Sequence, residues 1–364
     1  MGWLHSSLMS KPEPREAELR RVRECRVEAS EPSDFREFWT QTLTDLLLVD
    51  PKPRPCSLPE TDALALGELS CCEVDSWGGA KIKLWFSADK RPADSEGVRP
   101  LLVTSHGYGG SMDPERVRRL STLGFDVVAV DARGFGLSRD ALEAISPDGY
   151  LLTGADTKED CILRGAVCDF LQAYRAGQRF FGASAPVVFQ GFSFAGGLCT
   201  MAAGVLGLGS VAGLKGMPAL PHLLAPGVPT FGDLDRRIVM CEEGSGRELA
   251  DYLRANPSKR EQVLSVFRYF DAAYFAPHVS DESASLQIIA GVGIYDPVVP
   301  AETVFPVLAG FRAPVKLFEM PCSHTELEEE REWVRWESAW IKAGRKLAAL
   351  PVAQLSNDTA QLRP

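Results

Sequence analysis

Histidine is scarce in this chain, with five among 364 residues. No C-x-x-C pair with matching histidines is present, which leaves no zinc site encoded in the pattern. The nine cysteines are odd in number and irregularly spaced, from Cys25 to Cys322. Most of them read as small buried hydrophobes in a reduced, cytoplasmic protein. A basic surplus is also missing: 39 Lys and Arg against 49 Asp and Glu give a net charge of −10. That balance argues against nucleic acid or an anionic membrane as a partner. No apolar run approaches the ~20 residues needed to cross a bilayer. Residues Met1 to Ser10 lack the basic stretch and apolar core of a secretory signal. Internal repeats and low-complexity tracts are absent as well.

What is present is an ordinary globular composition, 45 % apolar and 24 % charged, in a length suited to one large α/β domain or two modest ones. Residues 1–32 form a charged N-terminal arm. From Ser33, Phe35, Phe38, Trp39, Leu43 and Leu46 recur at helical spacing, with Ser33-Asp34 placed to cap that helix. Residues 51–60 are proline-rich and read as a connector. Trp77-Gly78-Gly79 marks a hairpin turn inside Glu73–Phe86. Further on, Leu101–Thr104, Phe125–Val130, Val187–Gln190, Leu286–Gly291 and Val315–Met320 are short apolar runs with strand character. Helical stretches such as 113–123, 158–174 and 194–205 lie between them. This alternation predicts a doubly wound, mostly parallel sheet over residues 33–350, followed by a tail at 351–364. A helical excursion at 226–276 is placed as a cap over a site.

The loops with unusual residues all follow strands, at the edge where open α/β sheets bind ligands. Behind Val187–Gln190 comes Gly191-Phe192-Ser193-Phe194-Ala195-Gly196, the layout of a nucleophile elbow with Ala195 in the place of its last glycine. A serine hydroxyl needs an imidazole to take its proton, and the imidazole needs a carboxylate to orient it. Of His5, His106, His222, His278 and His324, His324 alone follows both a strand and a strand-end acid, Asp296. The order Ser193, Asp296, His324 is that of the α/β-hydrolase fold. Oxyanion donors are expected from the Phe194 amide and from the glycine loop His106–Gly110, with His106 itself structural. Trp333, Trp336 and Trp340 share one face of the last helix and are expected in the core, and Glu328–Glu332 as its solvated start. Gly204–Gly209 follows a helix, so it is a poor dinucleotide loop. No metal or organic cofactor is implied.

With these residues in place, the chain resembles the acetyl xylan esterase / cephalosporin C deacetylase family of serine esterases from about residue 33 to 345. Asp34-Phe35 with Phe38-Trp39, Trp77–Ile82, His106–Gly110, Asp131–Gly134, Tyr269–Asp271 and Asp296 with Pro300–Phe305 carry the likeness. The resemblance implies Ser193, Asp296 and His324 as a triad, Tyr108 as the early oxyanion donor, and a homo-oligomer as assembly. Three positions depart from the family pattern. R-G-Q is Arg133-Gly134-Phe135, G-x-S-Q-G is Gly191-Phe192-Ser193-Phe194-Ala195, and H-E is His324-Thr325. The expected activity is hydrolysis of small acyl esters, acetyl first among them. Phe135 and Phe192, with Phe194, point to an apolar pocket. Such a pocket would suit a bulkier natural-product ester or acyl transfer to a bound acceptor. A degenerate hydrolase kept as a binding protein is the reading from another class.

Overall fold

The computed structural model describes residues 16–56, 69–87, 98–279, 286–324 and 330–348. Among them, nine strands form one sheet in the order β1-β2-β3-β5-β4-β6-β7-β8-β9. The strands are β1 (Arg54–Pro55), β2 (Ser70–Asp75), β3 (Lys81–Ser87), β4 (Leu101–Ser105), β5 (Asp126–Asp131), β6 (Val187–Phe192), β7 (Leu223–Gly227), β8 (Gln287–Gly293) and β9 (Val315–Met320). β1, β2 and β3 pair antiparallel, as do β3 and β5, and every pairing from β5 through β9 is parallel. The central strands are buried on both faces, which is why their sequences run as continuous Val, Leu and Phe instead of alternating.

Two helices come early in the chain: α1 (Glu16–Arg23) and α2 (Phe35–Leu48). The body adds α3 (Pro114–Thr122), α4 (Ile162–Phe181) and α5 (Phe194–Val211). Between β7 and β8 come four more, α6 (Leu234–Met240), α7 (Gly244–Ala255), α8 (Arg260–Phe267) and α9 (Ala272–Phe275). The chain then returns to the sheet with α10 (Ala301–Gly310) and α11 (Glu330–Leu347). α1 buries none of its residues and is tied to the edge of the sheet by Arg23, whose guanidinium donates to both carboxylate oxygens of Glu319.

Several expectations need correction. Asp34 sits at the N-cap of α2 but makes no capping bond; its carboxylate instead takes Lys158 and the Tyr269 hydroxyl. A cation and a phenol that reach it from elsewhere in the fold outcompete a local N–H. The connector at 51–60 contains β1 and Cys56, which is disulfide-bonded to Cys71. The expected reduced state therefore fails for this pair, which the β1–β2 pairing brings together, while six of the seven free cysteines are buried, as expected for most of them. The statement that no apolar run approaches membrane-spanning length also fails. α5 is 18 residues long and apolar enough by composition, yet 89 % of it is buried inside the protein, so it is a core helix. Its glycines explain themselves by contact. A Cβ at Gly207 would lie 1.8 Å from the His278 carbonyl oxygen, and one at Gly204 2.6 Å from Phe275. His5, Glu328, Glu329 and the 351–364 tail lie outside the described residues.

The buried electrostatic anchor of the fold is Arg133 with Asp169. Arg133 donates from Nε to Oδ2 (2.9 Å) and from Nη2 to Oδ1 (2.7 Å), and its main-chain N–H reaches Oδ2 at 3.0 Å. The Ser76 hydroxyl adds a fourth bond to Asp169 at 2.6 Å. Because both partners are buried, Asp169→Ala strands a guanidinium and should cost about 3–5 kcal/mol in urea unfolding. The half-exposed pair Arg118–Glu115 should be worth no more than about 1 kcal/mol in the same assay.

Candidate active site

At the end of β6 the chain reverses direction into α5 within one residue. Ser193 takes φ 57° and ψ −118°, a backbone state that a side chain adopts only under compulsion. Its N–H donates to the Gly227 carbonyl (2.9 Å), and its carbonyl accepts from Gly197 (3.0 Å) and Thr230 (3.3 Å). Gly191 is indispensable to this turn, since a Cβ there would lie 2.0 Å from the Ala195 carbonyl oxygen. Ala195 itself is fully buried without conflict, so a methyl group is accommodated where the motif usually has glycine.

Asp296 follows β8 and His324 follows β9, so both stand at the same carboxyl edge of the sheet as Ser193. His324 Nδ1 donates to Asp296 Oδ2 at 2.6 Å. The other carboxylate oxygen accepts the N–H groups of Val298 (2.9 Å) and Val299 (2.8 Å), which fixes the plane of the carboxylate. In the neutral form of the imidazole this arrangement favours the tautomer with the proton on Nδ1, with the lone pair on Nε2. Phe192, the residue before Ser193, lies 5.2 Å from the His324 ring.

His106 holds the early loop. Its Nε2 accepts from the Ala132 N–H (3.1 Å) and its Nδ1 bonds the Gly107 carbonyl (2.8 Å). Burial pushes its pKa below the ordinary histidine value, consistent with a neutral ring in that bridge. Tyr108 projects from the loop into a cluster with Phe135, Tyr150 and Phe194, at ring distances of 5.7–5.9 Å. Burial first, and then its bond to Glu248 (2.6 Å), raises the Tyr108 hydroxyl pKa.

A cleft of about 350 Å³ opens beside His324. Phe192, Trp333 and Trp336 form its apolar wall, facing Arg116, Arg119 and Glu337. Arg119 donates to both Glu337 oxygens (2.7 and 3.4 Å), while Arg116 lies 3.5 Å from the same carboxylate. Of the three phenylalanines expected to form a pocket, Phe192 alone lines this cleft. Phe194 is fully buried and Phe135 packs 4.2 Å from Tyr150, both behind Tyr108. Trp336 and Trp340 are core residues as expected, but Trp333 is half-buried and reaches the cleft. The arginines, Glu337 and Glu248 were not legible as site residues, because nothing in a surface helix pattern distinguishes a charge that faces a cleft.

A mostly parallel sheet flanked by helices, with a serine on a strained strand–helix turn and an acid–histidine pair on later strands, defines an α/β-hydrolase. Residues 15–332 match the acetyl xylan esterase (AXE1) family. The chain belongs to that family and is a carboxylic ester hydrolase acting on small-molecule esters. Among solved structures it is similar to an acetyl xylan esterase from Paenibacillus sp. R4, with 22 % identity and a TM-score of 0.72 over 89 % of this chain and 99 % of that one. It is likewise similar to acetyl xylan esterase 1 from Thermoanaerobacterium sp. JW/SL YS485, at 21 % identity and a TM-score of 0.70 over 90 % of this chain and 98 % of that one. A puromycin-hydrolyzing peptidase from Mycobacterium tuberculosis shares the fold more distantly, with 15 % identity and a TM-score of 0.54; 84 % of this chain covers 40 % of that one.

The turn makes opposite demands at its two small residues. Gly191→Ala should destabilise the protein by about 2 kcal/mol or more, because backbone must move to admit the methyl group. Ala195→Gly should change stability by no more than about 1 kcal/mol. Urea unfolding of the two variants checks both.

Proposed function

We propose that Ser193 is the nucleophile of an acetylesterase, with His324 as its base and Asp296 as the group that orients the imidazole. The observation that carries this reading is the His324–Asp296 bond, with the second Asp296 oxygen fixed by two main-chain N–H groups. Such a pair holds one tautomer and stabilises the imidazolium that forms during reaction. Ser193 Oγ attacks the ester carbonyl carbon while its proton passes to His324 Nε2. The amides of Tyr108 and Phe194 receive the developing oxyanion. Collapse breaks the bond to the alcohol oxygen, which leaves with the proton from His324. Water then attacks the acyl-serine, giving a proton to His324, and the carboxylic acid departs as that proton returns to Ser193.

Family membership favours an acetyl group on a carbohydrate as the ester cleaved. A second reading rests on the cleft. Its aromatic wall and its volume fall in the range of sites for small organic ligands. Because the lining includes His324 and not Ser193, the cleft suits a group beside the base: the alcohol portion of a bulkier ester, or an alcohol or amine that accepts the acyl group. Product analysis by mass spectrometry with candidate acceptors separates the two, and free acid as the only product excludes transfer. For the shared chemistry, Ser193→Ala should lower hydrolysis of p-nitrophenyl acetate by about 10³-fold or more, since groups that act as one unit fail together. A wild-type rate in that variant would sink the assignment.

A further inference from the structure

Between His106 and Met112 the chain reads Gly-Tyr-Gly-Gly-Ser, so Tyr108 is the only large side chain in the segment that would supply an oxyanion donor. The glycines on either side of it meet no neighbouring atom within 4 Å of an added Cβ, and Gly109 has φ 74°. The loop is held by His106 at its start, by the Met112 N–H on Asp131 Oδ1 (2.7 Å) at its end and by the Gly110–Gly107 turn bond (3.1 Å). The Tyr108 side chain is what ties its middle to the rest of the protein. The Tyr108 ring rests on Phe194, the residue with the second donor. Its hydroxyl donates to Glu248 Oε2 at 2.6 Å. The other oxygen of Glu248 accepts the Leu151 N–H at 2.9 Å, and the carboxylate is pressed so close to Gly149 that a Cβ there would lie 2.3 Å away. Glu248 belongs to α7, whose Leu249, Ala250 and Leu253 are buried. One carboxylate thus joins a helix of the β7–β8 excursion to the oxyanion loop and to the turn at 149–151.

We infer that Glu248 is a positioning residue for the oxyanion site: docking of α7 through its carboxylate fixes the Tyr108 side chain, and thereby the Tyr108 amide. The inference rests on the esterase reading above. It gives the segment between β7 and β8 a catalytic consequence, because displacement of α7 releases the loop that must hold the transition state. A group that acts this way changes kcat more than KM, since its effect is felt where the oxyanion forms and little in the substrate ground state.

The test is steady-state hydrolysis of p-nitrophenyl acetate by full-length Glu248→Ala, Glu248→Gln, Tyr108→Phe and the Glu248→Ala/Tyr108→Phe double variant, together with inhibition by phenylboronic acid, whose serine adduct is tetrahedral. Loss of a complete oxyanion donor costs ~10²–10³-fold, so a loosened one in Glu248→Ala should lower kcat by about 10–100-fold with KM changed less than about threefold. Boronic acid affinity should fall by a similar factor. Tyr108→Phe, which keeps the amide, should act in the same direction, and the double variant should be no more than about twofold worse than Glu248→Ala. Glutamine can still accept from Leu151 and bond the phenol, so Glu248→Gln should recover to within about fivefold of wild type. A kcat within about twofold of wild type in Glu248→Ala, multiplicative losses in the double variant, or a Gln variant as impaired as Ala would each overturn the role. If Glu248→Ala does not fold, Tyr108→Phe decides alone, with reduced kcat for the role and a wild-type kcat against it. Ser193→Ala measured alongside keeps the two readings apart. Full activity there removes the esterase assignment, whereas an inactive Ser193→Ala beside an unimpaired Glu248→Ala removes only the positioning role.

Discussion

The close approach of backbone to backbone at the end of β6 is the constraint on which this site depends. Ser193 is held at positive φ, a state that costs on the order of 1–3 kcal/mol and persists only when its surroundings dictate it. Here they do so through the hydrogen bonds to Gly227, Gly197 and Thr230 and through the missing Cβ of Gly191. Gly196 and Gly197 extend the same contact: added Cβ atoms would meet the Gly227 and Thr230 carbonyl oxygens at 2.5 Å. The elbow is thus clamped against the exit of β7. The strand order that places β7 beside β6 and β8 beside β7 then brings Asp296 and His324 to the same edge.

The departures from the family pattern acquire a common physical account in this frame. Phe135 and Phe194 stand where glutamines are expected, and their rings lie 6.0 Å apart. Both touch Tyr108, and Tyr150 closes the group. Where the resemblance implies two polar side chains, an aromatic cluster supports the early loop from behind through edge-on and tilted ring contacts. The apolar character inferred from these residues is real, but it belongs to the support of the loop. The cleft beside His324 draws its apolar wall from Phe192 and from the tryptophans of α11.

Much of the fold was legible because its signals are local. Leu101–Thr104 and Val187–Gln190 fall inside β4 and β6, since buried parallel strands are written as continuous apolar runs, and Val315–Met320 has the same limits as β9, an edge strand with only Met320 buried. The order of Ser193, Asp296 and His324 was legible for the same reason: each follows a recognisable strand. What escaped had its cause in distant partners. Asp34 looked like a cap and became an ion-pair partner of Lys158, 124 positions away. Cys56 and Cys71 looked like two more thiols until β1 and β2 paired.

Sequence by itself determined the class of sheet, the strained serine turn and the chemical types at three strand ends, because those depend on spacing and on the size of adjacent residues. Tertiary structure alone decided which charges face the cleft, that Phe194 supports the loop while Phe192 lines the opening, and that Glu248 reaches Tyr108 from α7. These choices turn on which surfaces of separate helices meet. A helix period names the buried face of a helix, but it does not say what lies across from the rest.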